Sequence, residues 1–228
     1  MIGTAPAGID LDTSVAGRIA RTLSERIVAG LLSPGERLMQ DHIAEEFQAS
    51  HVPVREAFRK LEAQGLVVSK PRCGVRVSDL DPAVVGEVTE MRAAMEGLAL
   101  SHALPRLRKA DLDAARQALV EGEASDQIAV WEASNRRFHL AITAPCAMPR
   151  LMALIGDLHR SDARFLFATW KQLDWQRRSA MEHRAILDTI TRRDGDGARA
   201  LLEAHVREAG RALLERLRST ARPEGDWD

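Results

Sequence analysis

The last two-thirds of the chain repeat apolar residues with the period of an amphipathic helix, and this feature limits the possible folds most strongly. Six long segments carry the pattern, and only short breaks separate them. Long helices with short connections pack as antiparallel neighbours. We therefore expect an all-α antiparallel bundle of six helices, over residues 84–104, 109–121, 125–143, 150–169, 174–193 and 197–217.

The composition agrees with a mainly α fold. The chain has 228 residues, no Tyr and 5 Phe, whereas strands favour aromatic and β-branched residues. A chain of this length is long enough for two modest domains. The segment Ser78–Pro82 interrupts the helical pattern, so we place a linker there and expect domains at residues 1–78 and 82–221.

Shorter elements precede the linker. A first helix is predicted from Ser14 to its stop at Gly30, a second after an N-cap at Asp41, and a third from about Val52 to Gln64. Residues 66–68 and 74–77 then resemble two short strands joined by a basic loop. Three short helices followed by such a hairpin form a winged helix-turn-helix.

The third helix and the hairpin loop carry a local excess of positive charge. Six basic and two acidic residues lie between His51 and Arg76, although the whole chain has a net charge of −1. In a helix-turn-helix the start of the second helix of the motif enters the major groove. The DNA-binding residues predicted on this basis are Ser50, His51, Val52, Arg55, Arg59, Lys70 and Arg72.

Each of these positions has an expected role. Arg55 suits bidentate contact with a guanine, Arg59 reaches the DNA backbone, and Lys70 and Arg72 at the wing tip suit phosphate or minor-groove contact. Charge alone is equally compatible with a solvated basic face. A winged helix can also serve protein contacts.

Polar side chains in the bundle form a second candidate site. Asn135 and His139 lie four residues apart and share a helix face, while His183 and His205 lie in the last two predicted helices. If these helices converge, three imidazoles and one amide oxygen suit zinc, with nickel or cobalt as alternatives. The spacing is also compatible with hydrogen-bonded core or surface histidines. The remaining histidines are expected to be ordinary polar residues: His42, His102 and His159.

Sequence motifs in both parts resemble one family. The N-terminal motifs are Pro34-Gly35-Glu36-Arg37-Leu38, Ile43-Ala44-Glu45-Glu46-Phe47, Pro53-Val54-Arg55-Glu56-Ala57-Phe58-Arg59-Lys60-Leu61, Gly65-Leu66-Val67 and Gly74-Val75. They resemble the GntR family of bacterial transcription factors. The bundle motifs are Met91-Arg92-Ala93-Ala94-Met95-Glu96, Asn135-Arg136-Arg137-Phe138-His139, Glu182-His183 and Ala204-His205. They resemble the FCD ligand-binding domain, named for the fatty-acid-responsive member of that family.

The resemblance implies DNA and metal binding. In that family the first domain binds a short palindromic operator as a dimer. Metal-binding members hold a divalent ion through an Asp or Asn and three His, and a carboxylate effector often completes the shell. On this chain the matching metal ligands are Asn135, His139, His183 and His205.

Two positions depart from the family pattern. Val52 stands where Thr is common, so the operator sequence cannot be copied from relatives, and base contacts rely more on Arg55. Asn135 stands where Asp is common, and its neutral amide leaves the metal site one negative charge short. We therefore expect metal affinity to be lower or to depend on the effector.

Arg92 is the residue expected to bind the effector, because a guanidinium matches a carboxylate bidentately. The alternative is an intrahelical ion pair between Arg92 and Glu96, which lie four residues apart. The sequence does not separate the two interpretations.

The prediction for the whole chain is a ligand-responsive regulator that is not an enzyme. It binds operator DNA as a homodimer and responds to a small organic acid. The alternatives are a metal-dependent hydrolase with a three-His site, using Glu182 or Glu203 as the base, and an interaction scaffold. Residues 1–12 lack the features of a signal peptide, and no run of about 18 apolar residues occurs, so we expect a cytoplasmic protein without a membrane partner.

Overall fold

The computed structural model describes residues 13–70, 74–79, 81–169 and 176–220. The chain divides into two compact units, residues 1–79 and 80–228. The first unit combines helices with a small sheet, and the second is all-helical in its described residues. The mainly α fold class is therefore confirmed.

Residues 13–70 and 74–79 of the first unit form three helices and three short strands. In chain order these are α1 (Val15–Val28), β1 (Arg37–Leu38), α2 (Gln40–Glu46), α3 (His51–Ala63), β2 (Val67–Lys70) and β3 (Gly74–Val77). Both neighbours of β3 are antiparallel to it, and the strand order is β1-β3-β2. The chain turns between α2 and α3 at Gln48, whose φ is 49°.

The apolar stripes of α1 and α3 form the core of this unit. Ile19 and Leu23 of α1 and Leu61 of α3 are almost fully buried and belong to one cluster. Ser14 caps α1, because its side chain accepts a hydrogen bond of 3.0 Å from the backbone N–H of Gly17. Apolar residues four apart in the sequence, such as Ile19 and Leu23, therefore mark the face of α1 that packs into the core.

The second helix begins earlier than the sequence predicts. Met39 occupies the N-cap position and makes no side-chain cap hydrogen bond, so the prediction of Asp41 as the N-cap is wrong. The chain leaves β1 at Leu38 and becomes helical within two residues. Asp41 lies instead in the first turn, where a negative charge favours the positive end of the helix dipole.

Residues 81–169 and 176–220 of the second unit form six long helices. They are α4 (Pro82–Ala103), α5 (Lys109–Glu123), α6 (Ile128–Thr143), α7 (Pro149–Thr169), α8 (Gln176–Thr191) and α9 (Gly195–Thr220). Asp81 caps α4 by accepting a 2.8 Å hydrogen bond from the N–H of Ala83, and Pro82 follows at the first helical position. Within the described ranges, no helix is long and apolar enough to cross a bilayer.

Helices α4 and α9 approach each other closely at two glycines. A Cβ added to Gly97 of α4 would lie 2.9 Å from Cγ of Glu203 on α9, and one added to Gly210 of α9 would lie 2.7 Å from Cβ of Thr89 on α4. The earlier residue of α4 thus meets the later residue of α9, so the two helices are antiparallel. A side chain larger than hydrogen does not fit at either crossing.

We predict that Gly210→Ala destabilises the second unit. The added methyl group meets Thr89 at its Cβ, so the helix backbone must move. The free energy of unfolding should fall by about 1–3 kcal/mol, the usual effect of overpacking a core. Urea denaturation followed by circular dichroism measures this change.

Gly156→Ala is the matched control. Gly156 lies inside α7, and a Cβ there would meet only Arg160 Nη1, at 3.7 Å. Alanine favours a helix over glycine by about 0.5–1 kcal/mol, so this variant should be as stable as the natural chain or slightly more stable. Equal stability of the two alanine variants would contradict the close packing of α4 against α9.

Candidate metal centre and nucleic-acid interface

Three buried histidines from three different helices converge inside the second unit. His139 of α6, His183 of α8 and His205 of α9 are each at most 3% exposed. One ring nitrogen of each lies within 4.8 Å of the others, and Nε2 of His183 is 3.1 Å from Nε2 of His205. Two nitrogens bound tetrahedrally to one zinc ion at 2.0–2.1 Å lie roughly 3.3 Å apart. The imidazoles therefore already have the spacing of metal ligands.

Two carboxylates orient two of these rings. Nδ1 of His139 lies 2.5 Å from Glu96 Oε2, and Nδ1 of His205 lies 2.7 Å from Glu182 Oε2. A carboxylate accepts hydrogen bonds, so each Nδ1 carries the proton and each Nε2 keeps its lone pair. Both imidazoles thus present a metal-binding nitrogen toward the centre of the cluster.

The charges of these groups favour the same arrangement. Burial opposes ionisation of Glu96, but the nearby His139, His159 and Arg92 outweigh it and hold the pKa of this carboxyl well below its usual value. Burial lowers the pKa of His139 to about 4 and that of His183 well below its usual value. The two imidazoles are therefore neutral near pH 7, as metal ligands must be.

Some buried atoms beside the cluster have no hydrogen-bond partner among the described residues. Nε2 of His139 and Oδ1 of Asn135 are the two such atoms that belong to the predicted metal ligands. Buried polar atoms are nearly always satisfied, and an ion satisfies lone pairs of this kind. Three imidazole nitrogens and an amide oxygen form a donor set that suits a borderline divalent ion. The residues present thus fit the metal that the sequence analysis anticipates.

A cavity of about 40 Å³ lies beside these residues. Part of its wall is polar, and alanine and leucine side chains of α7 and α9 form much of the remainder. The polar and aromatic residues of the wall are Arg92, Trp131, Glu132, Asn135, His159, Asp162 and His205. A space of this size holds roughly three water-sized groups.

Arg92 lies in this wall and already has two carboxylate partners. Its Nε is 3.0 Å from Oε1 of Glu96, an ion-pair distance without hydrogen-bond angles, and its Nη1 donates to Oδ2 of Asp162. The ion pair with Glu96 that the sequence offered as an alternative is therefore present. No hydrogen bond from Nη2 to another described residue occurs, so this nitrogen is available to a ligand.

Sequence reasoning missed three residues of the cavity wall. His159 is 4% exposed and its Nε2 is 3.1 Å from Glu96 Oε1, so its expected place among ordinary polar residues is wrong. Asp162 lies three residues further along α7, and Glu132 lies on α6. The i,i+3 pair of His159 and Asp162 was the available signal, since such residues share a helix face.

The predicted DNA-binding residues of α3 are exposed on one side of the helix. Ser50, His51, Val52, Arg55 and Arg59 are all exposed, whereas the residues that face the core from this helix are Val54, Ala57, Phe58 and Leu61. Because His51, Arg55 and Arg59 lie four residues apart, they form one exposed stripe along the helix. Neither arginine pairs with another described residue, so both are available to phosphates or bases.

Ser50 and the wing are described only in part. Ser50 occupies the N-cap position of α3, but its side chain makes no cap hydrogen bond. The backbone of Lys70 ends β2 and pairs with Gly74, whose φ of 79° suits the start of β3. Arg72, together with the rest of the wing tip at 71–73, lies outside the described residues.

Neither carboxylate considered as a hydrolytic base is placed for that role. Glu182 is committed to His205, and the His205 and Arg178 hydrogen bonds outweigh burial and lower the pKa of this carboxyl. Glu203 lies near Arg199 and Arg207, at 3.2 and 3.3 Å. Both carboxylates are thus occupied by partners, which is unfavourable for a general base.

Comparison with known proteins identifies the family of both parts of the chain. Residues 15–77 match the family "Bacterial regulatory proteins, gntR family", and residues 87–208, more than half of the chain, match the FCD domain. The Nta operon transcriptional regulator of Aminobacter aminovorans is 26% identical over 81% of this chain and 88% of its own length. The galactonate operon transcriptional repressor of Escherichia coli is 27% identical over 87% and 96% of the two chains.

Solved structures support the fold. Escherichia coli McbR/YncC is 22% identical, covers 90% of this chain and 99% of its own, and superposes with a TM-score of 0.79. A GntR regulator from Rhodococcus sp. RHA1 is 23% identical over 92% and 100% of the two chains, with a TM-score of 0.73. These matched families are transcriptional regulators and not enzymes, so the hydrolase interpretation is set aside. The chain belongs to the GntR family of bacterial transcriptional regulators and carries an FCD domain.

Proposed function

We propose that this regulator binds a divalent metal ion and a small organic acid in its helical domain, and that the acid changes its affinity for operator DNA. The operator is palindromic, and a homodimer binds it. We assign DNA binding to residues 1–78 and sensing to residues 82–221, in the cytoplasm, where bacterial operator DNA lies. The observation that supports this proposal most strongly is the convergence of three buried imidazoles beside a cavity that Arg92 lines.

The metal ligands in this proposal are Asn135, His139, His183 and His205. Zinc is the first choice for this donor set, with nickel or cobalt as alternatives. A bound divalent ion supplies a Lewis acid with open positions that attract an oxygen ligand such as a carboxylate. Asn135 adds no negative charge to the site, so an anionic effector also improves the charge balance around the ion.

Arg92 is the proposed effector contact. Its Nη2 is available, and its neighbours connect it to a metal ligand: Oε1 of Glu96 faces Arg92, and Oε2 of the same carboxylate holds His139. A carboxylate effector at Arg92 therefore acts on the group that orients His139. By linkage, the metal then strengthens effector binding as much as the effector strengthens metal binding. The name of the galactonate relative supports an acid effector, because galactonate is a sugar acid.

The DNA contacts in this proposal lie on α3 and the wing. Arg55 reads a base edge, Ser50, His51 and Val52 lie near it, and Arg59, Lys70 and Arg72 neutralise backbone phosphates. A dimer reads two half-sites about one helical turn apart, so a small change in the spacing of its two DNA-binding domains weakens simultaneous contact. A coupling of about 1–3 kcal/mol changes operator affinity about 5- to 150-fold.

Arg55→Ala should weaken binding to a selected operator duplex and reduce discrimination against a scrambled one. The expected loss is about 1–3 kcal/mol, since one bidentate base contact disappears while the phosphate contacts remain. Fluorescence anisotropy with both duplexes at several salt concentrations measures affinity and specificity together.

Arg116→Ala is the control for this measurement. It removes the same charge from an exposed position of α5, where Arg116 pairs with Asp113. This variant should bind both duplexes like the natural chain. If Arg55→Ala kept full sequence discrimination, base recognition through α3 would be refuted.

His183→Ala should abolish tight zinc binding, because a buried nitrogen at the centre of the ligand set is lost. His102→Ala is the matched variant, since His102 is exposed on α4 and outside the cluster. It should keep one zinc ion per chain. Zinc content after dialysis, with thermal unfolding as the test of folding, measures both. Equal zinc content in the two variants would contradict the site.

A further inference from the structure

A buried carboxylate oxygen in the cavity wall lacks a donor among the described residues. Asp162 of α7 is 8% exposed. Its Oδ2 accepts a hydrogen bond from Arg92, whereas its Oδ1 is enclosed and accepts none from any described residue. A buried acceptor of this kind is unfavourable unless a ligand or an ordered water satisfies it.

The rest of the polar wall offers acceptors and little positive charge. Glu132 of α6 lies in the same lining, next to Asn135, whose Oδ1 is assigned to the metal in the proposed function. Among the described residues that line the cavity, Arg92 is the one arginine or lysine, and it already faces Glu96 and Asp162. Burial raises the pKa of Glu132, which indicates that further negative charge is unfavourable here.

We propose that Asp162 selects the effector, which is a short monocarboxylate bearing hydroxyl groups, and that one hydroxyl donates a hydrogen bond to Asp162 Oδ1. This inference rests on the proposed function, because the carboxylate of the same molecule occupies the place at Arg92 and the metal. Once the first carboxylate occupies both Arg92 and the metal, a second carboxylate would lie near Asp162 and Glu132. The small cavity, of about 40 Å³, favours a short acid over a long one.

An uncharged donor fits this wall better than an ammonium group. Arg92 already neutralises Asp162 through Oδ2, so Oδ1 needs a proton donor rather than a counterion. A divalent ion bound at the neighbouring imidazoles would repel an ammonium group. A site that requires a hydrogen bond from its ligand strongly rejects analogues without the donor, because the buried acceptor is then left unpaired.

A series of three-carbon acids tests the inference on the zinc-loaded full chain by isothermal titration calorimetry. Propionate has no second polar group, glycerate adds hydroxyls, malonate adds a carboxylate and β-alanine adds an ammonium group. Glycerate should bind about tenfold tighter than propionate or better, as a hydrogen bond to a charged group provides. Malonate and β-alanine should bind no tighter than propionate.

The Asp162→Asn variant tests whether Asp162 is the residue that distinguishes glycerate from propionate. The change preserves the shape of the side chain but removes the charge that strengthens the hydrogen bond. The ratio of glycerate to propionate affinity should then fall to about threefold or less. The ratio is the informative quantity, because Arg92 loses a partner and the affinity for every acid can rise.

Asp157→Asn makes the same change on the same helix outside the cavity, where Asp157 pairs with Arg160. It should keep the natural ratio of glycerate to propionate affinity.

Three results would each overturn the inference and leave acid sensing in place. They are equal binding of propionate and glycerate, binding of malonate or β-alanine tighter than that of propionate, and an unchanged ratio in Asp162→Asn. If no acid of the series bound, the proposed acid sensing would fail with it. The natural chain alone decides the hydroxyl preference if Asp162→Asn does not fold.

Discussion

The fully buried carboxylate of Glu96 is the group on which the helical domain depends. A charge with no exposed surface is very unfavourable unless other groups compensate it. Arg92 lies one turn away on the same helix, His139 approaches from α6, and His159 approaches from α7. Glu96 thus fixes the relative positions of α4, α6 and α7. It also determines which nitrogen of His139 faces the other two histidines of the candidate metal site.

This arrangement connects stability with sensing. The guanidinium that helps to compensate Glu96 also lines the cavity and bonds to Asp162. A ligand that contacts Arg92 therefore changes the surroundings of a buried charge, and through it the orientation of a metal ligand. Coupling between two sites requires such a physical connection, and here two side chains are sufficient to provide it.

The sequence predicted the helices better than it predicted the contacts between helices and strands. Helical periodicity identified all six helices of the second unit, with ends that differ by at most three residues, because an apolar stripe is a local property of the chain. The strand β1 was missed as a strand, since two residues form no pattern and the strand exists only through its pairing with β3. The early start of α2 has the same cause, because it follows from where β1 ends.

For the candidate site as well, pairs of residues on one helix could be predicted, whereas contacts between helices could not. Asn135 and His139 were detectable as an i,i+4 pair, and the family motifs indicated His183 and His205. The contacts that Glu96, His159 and Asp162 make between helices could not be predicted, because they depend on how α4 and α7 pack around α6. The spacing of His159 and Asp162 showed only that these two residues share a helix face. A buried ion pair such as Arg92 with Glu96 looks in the sequence like any exposed helical pair.

The X-ray absorption spectrum of zinc-loaded protein at the zinc K-edge tests the central claim most directly. The account predicts the scattering signature of three imidazole rings, with nitrogen ligands at about 2.0–2.1 Å and lighter oxygen ligands completing the shell. A spectrum with sulfur ligation, or with fewer than three imidazoles per zinc ion, would contradict it.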